Sequence, residues 1–359
     1  MIRPKPPAGP TRSPAASGGG PLAAPGRRCV VTGGAGFIGS HLVECLLARG
    51  HDVHVVDDLS TGRLDNLAAV RGAARLSVRI AAVDEPAAAA AACVGADFVF
   101  HLAGVVGVRR LATEPLAVMQ RNLRCTEEVL TAATRAGVPV LLASSSEVYG
   151  DGPVPFREQE SLRPGSTEGL RGGYACAKAM GEWLALAHAQ QSGLPVYVAR
   201  LFNTVGPRQV GDHGMVLPRF VRQAVRGQPI TVYGTGDQTR CFAHVAEVAK
   251  ALVDLATLAP QSIVCNVGSA IETTVLGLAE LVRERAASDS PIERVPFERV
   301  FPAGFVDPPR RVPALDRLQQ AIGWVPSRPA VAIVDELLRL ARQELDVVSA
   351  RGVVAGSGD

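Results

Sequence analysis

Aromatic side chains are scarce in this 359-residue chain, at 4% of the total, and the net charge is only +3. A nucleic-acid surface needs a basic stripe interleaved with rings, so no nucleic-acid partner is expected. No uninterrupted apolar run approaches the ~18 residues that a membrane helix requires, so no membrane association is expected. The seven cysteines (29, 45, 93, 125, 176, 241, 265) include no CxxC pair. Most fall inside apolar strand or helix patterns and read as reduced core residues of a cytoplasmic protein. His, Cys, Asp and Glu do not cluster, so no metal site is expected. Acids are missing from residues 1–27, which are rich in Pro, Gly, Ala and Ser. Such a leader buries too little apolar surface to offset its ordering entropy and is expected to be disordered; residues 346–359 read as an equally loose tail.

What is abundant is apolar residue, at 47%, enough for one large domain carrying a smaller lobe. The β-branched Val30-Val31-Thr32 predicts a short buried strand. Gly33, Gly36 and Gly39 follow at intervals of three, and a helical pattern opens near Phe37 and Ile38 and stops at Gly50. Strand, glycine turn and helix together let a backbone approach a pyrophosphate and offer it unpaired N–H groups. A second apolar run, 51–56, ends in Asp57-Asp58, with Asp57 placed 21 residues beyond Gly36. That is about the ~20-residue offset at which a carboxylate takes the adenosine ribose hydroxyls. A carboxylate there repels a ribose phosphate, so NAD is expected rather than NADP.

Strands and helices then alternate, predicting an α/β fold with a Rossmann-type, doubly wound parallel sheet. Leu59-Ser60-Thr61-Gly62 is a turn, 76–80 a third strand, 86–94 an alanine-rich helix, and 98–104 a strand running into Leu102-Ala103-Gly104. A helix over 115–136 contains Asn122; a fifth strand, 138–143, ends in Ser144-Ser145-Ser146-Glu147. A helix over 174–191 and a sixth strand, 196–201, complete a cofactor domain at 28–201. Residues 202–345 are expected to form mainly a substrate lobe over the carboxyl ends of the strands, with some segments returning to the sheet.

Tyr174-Ala-Cys-Ala-Lys178 places a phenol and an ammonium at i and i+4 on one helix face. Removing a proton from a sugar hydroxyl needs a base, and a neighbouring Lys178 with a cationic nicotinamide is expected to bring the phenol, ordinarily near pKa 10, towards working pH. Ser145 can share a hydrogen bond with that hydroxyl. The same residues suit hydride transfer with NAD.

TGGAGFIGSH, DDLSTG, HLAG, SSSEVYG, YACAK, RLFNTVGPR, GTGDQTRCFAHV, NVG and DPPRR, in this order over about 28–345, resemble the extended short-chain dehydrogenase/reductase family that acts on nucleotide sugars. The resemblance implies NAD held by the glycine turn, by Asp57, Asp58, Ser60, Thr61 and Gly62, by Leu102 to Gly104, and by Asn122, Ser144, Tyr174 and Lys178. Within the family, Ser145-Ser146-Glu147 is similar to the triplet of UDP-glucuronate decarboxylases, where 4,6-dehydratases carry Thr-Asp-Glu and 4-epimerases lack the Glu. Gln238, Arg240 and Arg171 also match the decarboxylase pattern.

That resemblance implies Tyr174 as base assisted by Lys178 and Ser145, Glu147 orienting the sugar or a water, and Arg240 beside the sugar carboxylate. It also implies Asn203, Arg208, Arg310 and Arg311 at the diphosphate, and Val216, Leu217, Thr231 and Tyr233 around a uracil, with Ser146 and Gln238 touching the sugar. A 4,6-dehydratase or 4-epimerase on UDP- or TDP-sugars is the alternative, and a non-catalytic NAD sensor a more distant one. The usual adenine-contacting Asp is replaced here by Ala82, with Asp84 two residues on. His101 and His244 read as structural. Apolar residues on more than one face of the 115–136 and 174–191 helices, with the family resemblance, predict a homodimer through a four-helix interface.

Overall fold

The computed structural model describes residues 19–355 apart from 168–169, 212–214, 260 and 302–306. The first half runs β1 (Arg28–Thr32), α1 (Phe37–Ala48), β2 (Asp52–Asp57), β3 (Leu76–Ile80), α2 (Pro86–Cys93), β4 (Phe98–His101), α3 (Val108–Thr113) and α4 (Pro115–Ala136). It continues through β5 (Val140–Ser145), α5 (Leu170–Ser192) and β6 (Val196–Leu201). After β7 (Thr204–Val205) come α6 (Val216–Val225), β8 (Ile230–Tyr233), β9 (Thr239–Cys241), β10 (Ala243–His244), α7 (Val245–Leu258) and β11 (Ile263–Val267). The chain ends with β12 (Glu272–Thr274), α8 (Val275–Ala286), β13 (Ile292–Val295), α9 (Asp316–Ile322) and α10 (Ala330–Ala355).

Seven strands form one parallel sheet in the order β11-β6-β5-β4-β1-β2-β3. Because the chain reverses direction between β1 and β4, their carboxyl ends part into the crevice where ligands of such sheets bind. Alternate residues explain the two covered faces. Val31, Val55, Phe100, Leu141 and Tyr197 pack with α1 and α7 on one side. Val30, Val56, Val99, Leu142 and Val198 pack with α2, α4 and α5 on the other. β4 is buried at all four positions, as a central parallel strand must be, whereas edge strand β3 leaves Val78 and Ile80 exposed. Pro115 starts α4, and Gly137 ends it at φ 69°, a conformation that favours glycine.

The smaller lobe has its own core, with Phe220 and Leu217 of α6, Val232 of β8, Leu278 and Val282 of α8, and Ile333 and Leu338 of α10. Strands β8 and β13 pair in parallel beneath it. Two boundaries differ from expectation. Residues 19–27 are not a loose leader: Leu22 is buried, its N–H donates to Ala256 O, and Gly20 N–H donates to Thr257 O, so this segment is strapped to α7. Residues 1–18 lie outside the described part. At the other end the tail expected from 346 continues as helix to Ala355. Among the described residues, no helix is long and apolar enough to cross a membrane.

Candidate active site

A cavity of about 470 Å³ opens at the carboxyl ends of the strands, between the sheet and the smaller lobe. At one end it is walled by Gly33, Gly36, Phe37, Ile38 and Gly39. Helix α1 begins at Gly36 with no side-chain cap and no acid in its first turn, so its first N–H groups face this space without intrahelical partners. A Cβ at Gly39 would overlap the Gly33 carbonyl oxygen, and one at Gly33, φ 73°, would stand 2.7 Å from Ala103 N. Close backbone approach with free N–H groups suits a pyrophosphate.

Asp57, Asp58, Ser60 and Thr61 continue the wall. The buried Asp57 carboxylate accepts from the backbone N–H groups of Ala35 and Leu59, both at 2.9 Å, and burial raises its pKa. Asp58 is paired with Arg121 of α4, which also approaches Asp84 at 3.6 Å. These residues fit an NAD adenosine half: a fixed carboxylate for ribose hydroxyls, with an anion cradle beside it. Two expected contacts lie off the wall. Gly62 instead leaves room for Asp57, whose Oδ1 would be 2.8 Å from a Cβ there. Asn122 is buried, and its Nδ2 donates to the carbonyls of Val105 and Val118, so it fixes the loop after Leu102, Ala103 and Gly104.

Farther in, Ser144, Ser145, Ser146, Glu147, Tyr174 and Lys178 share the cavity. The β5 carboxyl end presents the serines, while one α5 face presents Tyr174 and, a turn later, Lys178. Lys178 Nζ donates to Ala143 O at 3.1 Å, and burial lowers its pKa from 10.5 to about 8. Tyr174 hydrogen-bonds Ser145, yet its pKa is raised, first by burial and then by the Glu147 charge. The expected downward pull of Lys178 does not dominate here, so the phenol is held neutral until a cation comes against it. His101, between Thr32 and Thr126, is brought down to about 3 by burial and Lys178 and stays neutral, as a packing residue would.

On the lobe side stand Asn203, Val216, Leu217, Tyr233, Gln238 and Arg240. Arg240 pairs with Asp307 at 2.6 Å. Arg311 was expected at a diphosphate; it is buried and grips Glu147 bidentately, at 2.6 and 2.8 Å. Three other expected contacts are elsewhere. Arg208 is tied to Glu44 and Ser40 of α1. Arg310 is exposed and paired with Glu272. Thr231 is fastened to Gln223 of α6. The side chain of Arg171 lies outside the described residues.

A buried chain of polar groups behind the cavity escaped the sequence reading. Ser144 Oγ donates to Glu182, whose carboxylate takes Arg200 at 2.6 Å. Arg200 donates to Tyr149 Oη at 2.9 Å, and Tyr149 donates to Asn266 Oδ1 at 2.7 Å. Asn266 Nδ2 then donates to the carbonyls of Phe156 and Ala314. The 312–314 segment that carries Arg311 into the site is thereby tied to the serine end of β5. The i, i+4 spacing of Tyr174, Lys178 and Glu182 was the available signal.

The lowered Lys178 pKa gives a testable pH dependence. Below about 8 the ammonium is present to favour a phenolate; above it the charge is lost, so kcat/KM should fall on the alkaline side from about pH 8. For stability the sign is opposite. Between about 8 and 10.5 the unfolded chain holds the proton that the folded one has released, so this group makes folding more favourable as pH rises through that window. Urea titrations of the protein and a Lys178→Met variant across pH 7–11 check it, the difference between them shrinking upward.

Comparison with known proteins agrees with this geometry. Residues 29–268 match the model of the NAD dependent epimerase/dehydratase family. A UDP-N-acetyl-alpha-D-glucosaminuronate decarboxylase of Bacillus cytotoxicus is 37% identical over 84% of this chain and 93% of that protein. UDP-glucuronic acid decarboxylase 1 of Danio rerio is 34% identical over 89% of this chain and 74% of that protein. A UDP-glucose 4-epimerase of Thermus thermophilus, solved with NAD, superposes with a TM-score of 0.74 at 29% identity, covering 86% of this chain and 98% of that one. The chain belongs to the NAD dependent epimerase/dehydratase family, the extended branch of the short-chain dehydrogenases/reductases.

Proposed function

We propose that the protein converts UDP-glucuronate to UDP-xylose, using NAD that it regenerates in each turnover. The observation that carries this is the Ser145-Ser146-Glu147 end of β5, with Glu147 clamped by Arg311 beside Tyr174 and Arg240 in one cavity. No carboxylic acid stands at 146 to protonate a leaving hydroxyl, as dehydration would need. Decarboxylation needs none.

Held against the Gly33–Gly39 turn and Asp57, NAD would supply the hydride acceptor for sugar carbon 4 and the donor for its return. Tyr174 accepts the proton of the 4-hydroxyl, helped by Ser145 and by the Lys178 charge. The ketone at carbon 4 makes the carboxylate at carbon 6 a β-keto acid. The carbon 5–carbon 6 bond then breaks with its electrons passing to the ketone oxygen. Tyr174 and Ser145 donate to the resulting enolate. Arg240 lies beside carbon 5 and the departing carboxylate, and Glu147, oriented by Arg311, holds the water or sugar hydroxyl that delivers the proton to carbon 5.

The Bacillus relative favours a second reading, in which the sugar carries an acetamido group at carbon 2. Mixing purified protein with UDP-glucuronate, UDP-N-acetylglucosaminuronate, UDP-glucose and TDP-glucose separates the possibilities by product mass. Loss of carbon dioxide from the first supports the proposal. Loss from the second alone moves the substrate, and turnover of only the neutral sugars rejects decarboxylation.

The protein acts as a homodimer in the cytoplasm. Val129 and Leu130 of α4 belong to the core; among the described residues, the outward large apolar side chains of α4 and α5 are Leu116, Met180 and Trp183. Light scattering at micromolar concentration should give twice the 37.5 kDa chain mass, and a Trp183→Glu variant the single mass.

A further inference from the structure

Two buried guanidinium groups line the inner cavity, and each is answered by an acid of the chain. Arg311, 3% exposed, is held by Glu147, and Arg240, 7% exposed, pairs with Asp307 at 2.6 Å. All four side chains belong to the cavity wall. Arg240 has little freedom to leave its place. Its backbone lies in the β9–β12 ladder opposite Thr273, and its Nη1 donates to Thr239 O at 2.6 Å. Asp307 is fixed from the same side, because Thr239 N–H donates to Pro309 O, two residues on, at 2.8 Å. Farther along, Phe156 N–H donates to Val312 O and Ala314 N–H to Phe156 O, both at 2.8 Å. One anchored segment, 307–314, thus brings Asp307 to Arg240 and Arg311 to Glu147.

Burial by itself calls for a counterion, since an unpaired guanidinium is costly away from water. Decarboxylation gives this counterion a second consequence. Before carbon dioxide leaves, the negative charge is on the carboxylate at carbon 6. As the carbon 5–carbon 6 bond breaks, its electron pair passes to the ketone oxygen at carbon 4, and the departing carbon dioxide is neutral. A full positive charge against the carboxylate would stabilise the starting state and lose its partner in the transition state. An interaction stronger in the ground state than in the transition state slows the chemical step. An Arg240 whose charge is offset by Asp307 can orient the carboxylate without holding it back.

We propose that Asp307 is a positioning residue for decarboxylation: paired with Arg240 in the cavity wall, it keeps that guanidinium from binding the sugar carboxylate too tightly for it to leave. This rests on the decarboxylase reading above. It adds a residue that acts through Arg240, lowering substrate affinity and raising the rate.

Calorimetry on the NAD-loaded Tyr174→Phe variant, which turns substrate over slowly, gives the first check. UDP-glucuronate and UDP-glucose should bind it within about threefold of each other; an advantage of about tenfold or more for the carboxylated sugar would overturn the proposal. Adding Asp307→Asn should tighten UDP-glucuronate roughly tenfold to a hundredfold, the effect of one hydrogen-bonded charge, and move UDP-glucose less than about threefold. With Tyr174 restored, Asp307→Asn should lower kcat and KM together, leaving kcat/KM within about threefold of the parent. Asp307→Glu, which keeps the charge, should stay near the parent in both. Melting temperature and NAD content report folding independently of activity. Weaker UDP-glucuronate binding in Asp307→Asn would overturn the proposal, because a counterion needed only for packing loosens the site when it is lost. Unchanged affinity would overturn it too, as would Asp307→Glu behaving like Asp307→Asn. If the unaltered chain releases no carbon dioxide from UDP-glucuronate, the decarboxylase reading itself falls, an outcome visible before any variant is made.

Discussion

A Tyr174→Phe variant should release carbon dioxide from UDP-glucuronate about 10²–10⁴ times more slowly, the range that one positioned acid–base group supplies. The change removes a single oxygen and keeps the ring that fills the wall of α5. Lys178 keeps its bond to Ala143 O, and Glu147 keeps Arg311. Affinity for the nucleotide sugar, NAD content and melting temperature should therefore stay near those of the parent. The effect should fall on kcat, because the hydroxyl is needed only where a proton leaves the sugar. Steady-state kinetics with a calorimetric binding curve checks this; an equal rise in KM with kcat unchanged would make Tyr174 a binding group.

The largest stability effect is expected at Arg200. Its side chain is 6% exposed and that of Glu182 3% exposed, and the pair shares three hydrogen bonds. Arg200→Met strands a buried carboxylate, a change that costs about 3–5 kcal/mol. Removing both charges, in Arg200→Met with Glu182→Leu, should recover most of that loss, because no unpaired charge remains. Urea denaturation of the three variants measures it. Near-additive losses, each single change costing about the same, would show that the pair matters as packing and not as charge. Since this pair leads through Tyr149 and Asn266 to Ala314, both single variants should also loosen the placement of Arg311 and lower kcat.

How far the sequence reached follows from the kind of signal each part carried. The sheet was legible because buried parallel strands must be apolar runs: Val30 to Thr32, Phe98 to His101 and Val196 to Leu201 all announced themselves. The glycine turn and the Tyr174–Lys178 pair were legible because their chemistry depends on short local spacing. The protein partners of Arg208, Arg310 and Thr231 were not legible for the opposite reason. Each sits in a segment whose side-chain direction is decided by partners distant in sequence: Glu44 for Arg208, Glu272 for Arg310, Gln223 for Thr231. The grip of Arg311 on Glu147 joins residues 164 apart and has no local trace. The strapped segment at 19–27 looked unable to fold because its own composition is poor in large apolar groups. It is ordered by what it lies on, with Leu22 taking a place in the core that α7 already provides.

One experiment bears most directly on the claim that oxidation at carbon 4 frees the neighbouring carboxylate: turnover of UDP-glucuronate in heavy water, followed by proton and carbon NMR. A UDP-pentose with one solvent deuteron at carbon 5, the original hydrogen still on carbon 4 and carbon 6 recovered as carbon dioxide is the predicted result. A product that retains its carboxylate, with carbon 4 inverted or a hydroxyl eliminated, would contradict it.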